Sequence, residues 1–114
     1  LADLYRYYRQ GAAMLTRVYR DKQAMPEQLQ QVIDRTERHH RDVLLEPFAG
    51  TRAQRRRLRA VLGHAVSFWT WRSLCLHHGL SDREAVEAMA TLALATATGP
   101  SPAPALHPAT QPSP

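Results

Sequence analysis

Along most of this chain apolar residues recur at intervals of three and four, and no convincing strand-like alternation is found. Such spacing places them on one side of a 3.6-residue turn, whereas a half-buried strand needs a period of two. The fold class this implies is all-α: a single helical bundle in which each element buries a stripe against its neighbours. The chain has 114 residues, 44% of them hydrophobic, which is enough for one small domain with a packed core.

Interruptions in the rhythm divide it into helices. Leu1, Leu4, Tyr5, Tyr8, Ala12, Leu15, Val18 and Tyr19 form the first stripe. Gly11 falls inside it and costs about 1 kcal/mol relative to alanine. The spacing therefore predicts one helix to about Arg9, a kink or break, and a second to about Asp21, with 22–25 as a connection. Pro26 suits the first position of the next helix, where no amide is needed, and Glu27 suits its positive end. Leu29, Val32, Ile33, Thr36, His40, Val43 and Leu44 share one face of that helix until Pro47 and Gly50 stop it. The next stretch reads as one rod from about Arg52 to His78, about 40 Å long. Gly79 is its C-terminal stop. Its second half, around Phe68, Trp69 and Trp71, is apolar on nearly every side and needs cover all round. Ser81-Asp82-Arg83-Glu84 is a capping box that opens an Ala-rich last helix to about Thr96, with Leu80 and Ala85 placed as a hydrophobic staple. Six of the eight prolines lie between Pro100 and Pro114. The expected organisation is a folded 1–97 followed by a disordered tail, 98–114.

The net charge of +5 is unevenly placed: Gly50 to Gly79 contains six arginines and no acidic residue. Arg52, Arg55, Arg56 and Arg59 share a face, with Arg57 nearby, and invite a nucleic-acid reading. A solvated face has the same appearance, and no aromatic is interleaved as a single-strand platform would require. The single cysteine, Cys75, forms no internal disulfide and fits a reducing cytosol, so a cytoplasmic location is expected. There is no signal peptide and no apolar run long enough to cross a membrane. The opening residue, Leu1, already lies in the helical rhythm, so the chain reads as part of a longer protein.

Little points to catalysis or a cofactor. There is no phosphate loop and no nucleophile elbow. His39-His40 and His77-His78 are adjacent pairs whose side chains diverge by about 100° on a helix, so no metal site is expected. Cys75 lies three residues from His78, but a buried, inert thiol is the favoured reading. Arg72 projects into the apolar arc of the third stretch and needs a partner, with Asp34, Glu37 or Asp42 as candidate acids and a polar ligand as the functional alternative.

The run Phe68-Trp69-Thr70-Trp71-Arg72-Ser73-Leu74, followed by His78-Gly79-Leu80-Ser81-Asp82-Arg83-Glu84-Ala85-Val86, resembles the last two helices of many TetR-family regulators. Leu4-Tyr5-Arg6-Tyr7-Tyr8-Arg9 and Met14-Leu15-Thr16-Arg17-Val18-Tyr19-Arg20-Asp21 look like the segment that follows the DNA-binding domain in the same family. The resemblance covers roughly residues 1–96. It implies a C-terminal domain that binds a small-molecule effector and pairs two subunits, with operator DNA contacted only through an N-terminal helix-turn-helix absent from this chain.

On this reading Tyr5, Tyr8, Met14, Val18, Met25, Val32, Thr36, Val66, Trp69 and Arg72 are expected to line the effector site. A second apolar arc, His64, Ser67, Trp71, Leu74, Cys75 and His78, together with Ala85, Met89 and Ala93 of the last helix, is expected to form a homodimer interface centred on Trp71. The alternatives are a helical protein–protein adaptor without a ligand and a basic nucleic-acid-binding helical module.

Overall fold

The computed structural model describes residues 1–99. The expected disordered tail falls mostly on 100–114, which lie outside the described residues. Among the described residues all regular structure is helical: α1 (Ala2–Gln10), α2 (Ala12–Arg20), α3 (Glu27–Leu45), α4 (Arg52–Ala65), α5 (Phe68–Trp71) and α6 (Asp82–Thr98). A 3-10 turn spans Lys22–Ala24 and a π-helical stretch Arg72–His77. None of these helices is long and apolar enough to cross a membrane.

Gly11 separates α1 from α2 as its position in the stripe implies, and its amide still bonds to the Tyr7 carbonyl at 3.1 Å. Pro26 lies one position earlier than expected, as the extended residue before α3, where its carbonyl accepts from the amides of Leu29 and Gln30. The Ser81 box is formed: the Glu84 amide donates to Ser81 Oγ at 3.1 Å and the Ser81 amide to the Glu84 carboxylate at 2.9 Å. It satisfies two of the amides that a helix start leaves open. Thr51 and Gln54 build the same device at the start of α4, a T-x-x-Q pattern that a reading of the sequence could have used. Gly79 takes φ +75°, and the amide beyond it, Leu80, returns to the Leu74 carbonyl at 3.0 Å, closing the π-helical stretch. The last helix runs to Thr98, slightly past the expected end and one residue into the expected tail.

The rod expected over 52–78 is not continuous. α4 ends at Ala65, Ser67 adopts an extended conformation, and α5 starts afresh at Phe68. The amides of Thr70 and Trp71 turn back to the Ser67 carbonyl. In an unbroken helix the carbonyls of Ala65 and Val66 would accept from residues 69 and 70. Here Tyr5 Oη donates to the Ala65 carbonyl and Tyr8 Oη to the Val66 carbonyl, both at 2.6 Å. Two side chains from α1 thus replace two backbone donors at the break.

The apolar residues gather in two clusters. Tyr5, Tyr8, Leu15, Ala65, Phe68, Trp71, Cys75, Ala85 and Met89 form one, where α1, α2, α5 and the start of α6 meet. Leu45, Leu58, Leu62 and Ala93 form the other, where α3, α4 and the end of α6 meet. The small residues of α6 let both α1 and α4 lie close against it, which makes α6 the strut common to both clusters.

Candidate functional site

A hollow of about 570 Å3 lies between α1 and the middle of α3. From α1 come Asp3, Leu4 and Tyr7, with Leu1 just before it; from α3 come Thr36, His39, His40, Val43 and Leu44, at the spacing of one helical face; Val66, at the break after α4, completes it. The walls are mostly apolar, with polar groups from Asp3, Thr36, His39 and His40 among them. Thr36 Oγ1 donates to the Val32 carbonyl at 2.9 Å and keeps its lone pairs for an incoming donor. His39 and His40 lie with ring centroids 6.0 Å apart. Burial holds the His40 imidazole below its ordinary value, with His39 beside it acting in the same direction, so the neutral ring is favoured. Next to this groove the Glu37 carboxyl is pushed up by burial. Among the described residues no three His, Cys, Asp or Glu side chains gather as a metal site would need.

The expected effector residues are dispersed. Thr36 and Val66 line the groove. Tyr5 and Tyr8 are fully engaged in the core, where burial drives both phenols far above their ordinary range and keeps their hydroxyls as donors. Met14 and Val32 are exposed; Val18 and Met25 are half-buried; none of the four lines this groove. Trp69 is 44% exposed on another part of the surface. Arg72 has no acid beside it: Asp34 pairs with Lys22 and Asp42 with Arg41. Its guanidinium instead lies over the Trp69 ring, 5.8 Å from the centroid, and its buried Nε has no hydrogen-bond partner.

The interface expected around Trp71 also needs correction. Trp71 is 0% exposed within its own chain, as is Ala85, and Cys75, Met89 and Ala93 are buried with them. The break at Ser67 accounts for this, because it re-aims every side chain that follows. His64, Ser67 and Leu74 instead surround a smaller hollow with Trp69, and His78 is exposed. The surface aromatic of this region is therefore Trp69.

A polar junction absent from the sequence reading joins α1 to α6. The Asp82 carboxylate, in the first turn of α6, accepts from Arg9 Nε at 2.9 Å and from Trp71 Nε1 at 3.0 Å, and the Arg9 guanidinium also lies over the Trp71 ring. Burial pushes the carboxyl up, but the bonds from Arg9 and Trp71 outweigh it and hold Asp82 below its ordinary value. Cys75 Sγ, 3.7 Å from the same carboxylate, is pushed up by burial and then by that negative charge. Cys75 is therefore expected to be an unreactive thiol. Labelling of the folded chain by a maleimide at pH 7 should proceed at least about tenfold more slowly than in urea, since the thiolate is the reacting species. Equal rates in both conditions would refute the expectation.

Comparison with protein-family models, curated proteins and solved structures returns no match for this chain.

Proposed function

We propose that this domain senses a small amphipathic molecule and self-associates, as the C-terminal part of a TetR-type transcriptional regulator. Operator DNA would be read by a helix-turn-helix outside these residues, and the regulator would work in the cytoplasm. The observation that carries the reading is the groove between α1 and α3: mostly apolar walls, a volume suited to a small molecule, and a few polar groups from Asp3, Thr36, His39 and His40. The resemblance of the Phe68–Val86 region to the family supplies the regulatory context. Self-association is supported by apolar groups left outside both clusters, including Trp69, Leu76, Leu92 and Leu94.

A thermal-shift screen of small amphipathic compounds tests the sensor role. A ligand present at 100 times its Kd adds about 2.7 kcal/mol. In a domain of this size each kcal/mol raises Tm by about 4–8 °C. Val43 is an exposed wall residue, so Val43→Trp should fill the groove, leave the unliganded Tm within a few degrees, and abolish the shift. A broad screen without any stabilising compound would count against a sensor and favour a ligand-free adaptor.

A further inference from the structure

The first two turns of α4 carry an unusual surface. Arg52, Arg55, Arg56 and Arg59, at i, i+3, i+4 and i+7, together line a hollow of about 550 Å3. The helix is fixed by Leu58 and Leu62 in the core, and its start by the Thr51–Gln54 box. Arg55 is further anchored, donating to the Phe48 carbonyl. The four guanidinium groups are thus carried on a rigid element.

Among the described residues no carboxylate forms an ion pair with them. The segment from Gly50 to Gly79 contains no acid. Among the described residues the ion pairs use Arg6, Arg9, Arg20, Lys22, Arg41 and Arg83, and none of the four. Asp42 feels the field of Arg59 but is already bonded to Arg41. Four like charges held along one stripe repel one another, and a multiply charged anion would relieve that repulsion. Guanidinium groups present paired N–H donors that match phosphate oxygens in a way that a point charge does not.

We propose that this hollow is a binding site for phosphate groups, with Arg52, Arg55, Arg56 and Arg59 as its ligands. The phosphates can come from a compact oligophosphate or from a nucleic-acid backbone. The site is separate from the α1–α3 groove and stands whether or not that groove binds an effector.

The test is calorimetric titration of the whole chain at about 0.15 M salt, where the screening length is about 8 Å, with inorganic triphosphate and, separately, with a short DNA duplex. Saturable triphosphate binding is expected. Arg56→Gln/Arg59→Gln should weaken it by at least about tenfold, the scale of one lost charge-assisted bond. Arg17→Gln/Arg57→Gln removes the same charge away from the hollow and should stay within about twofold of the parent. All four positions are exposed, so both variants should keep the parent melting temperature, which is measured alongside. Duplex binding with the same dependence on the stripe but no triphosphate binding would also support the site and assign its phosphates to nucleic acid. Failure of both anions to bind, or equal weakening in the two double variants, would overturn the proposal.

Discussion

Trp71→Ala is expected to cost the chain a large share of its stability, with a clear fall in the urea midpoint at 25 °C. The indole is completely buried, stands 5.7 Å from Phe68 and 6.2 Å from Tyr8 between ring centroids, and donates to Asp82. Truncating such a side chain removes its apolar burial, leaves a cavity and takes one donor from a half-buried carboxylate, about 3–5 kcal/mol in all. Domains of this size are stable by only about 5–15 kcal/mol. Trp69→Ala provides the contrast. Its ring is 44% exposed and touches Arg72 and the edges of Phe68 and Tyr19, so the loss should be about 1 kcal/mol. If the domain self-associates through this surface, Trp69→Ala should also shift it towards monomer, the role that the sequence pattern placed on Trp71. Urea unfolding followed by far-UV circular dichroism separates the two variants. Equal losses of stability would contradict the placement of the two indoles.

Removing one oxygen from each of two tyrosines should be nearly as damaging. Tyr5→Phe and Tyr8→Phe each leave a buried carbonyl at the α4–α5 break without its donor, at a cost of about 1–3 kcal/mol apiece. The rings are neighbours, 6.2 Å apart, so the double variant need not equal the sum. The same bonds make the domain sensitive to base. Both phenols have folded-state values raised by burial, so their stabilisation is complete below the unfolded value of about 10 and is lost as pH rises above it. The parent should therefore lose stability more steeply than the double variant between about pH 10 and 11. A double variant as stable as the parent at pH 7 would show that the break does not depend on these hydroxyls.

The features legible in the sequence are those with local causes. Gly11 interrupts a stripe, Gly79 supplies a left-handed residue, and Ser81 with Glu84 closes a capping box within four positions. The break after Ala65 has no such cause. Val66 and Ser67 are ordinary helix residues, and the donors that make the interruption stable lie 58 and 60 positions upstream. Once the helix is taken as continuous, every later residue is projected onto the wrong side, which is why Trp69 and Trp71 exchange places and Arg72 finds an indole rather than an acid. Asp82 was visible only as the second residue of a cap. Its bonds to Arg9 and Trp71 depend on α1 crossing the start of α6. The groove at Thr36, His39 and His40 likewise depends on where α1 lies against α3.

The junction between Arg9 and Asp82 spans 73 positions. A chain leaving the ribosome presents α1 before α4 and α6, with Tyr5 and Tyr8 ready to bond to carbonyls not yet made and to pack against a strut made later. α3 and α4 are neighbours in sequence and can pair as soon as both emerge. Loop closure makes distant contacts the slower ones. The order of assembly thus runs against the order of synthesis for α1: it waits for α6, and during that interval its aromatic face is open to chaperones and to other nascent chains.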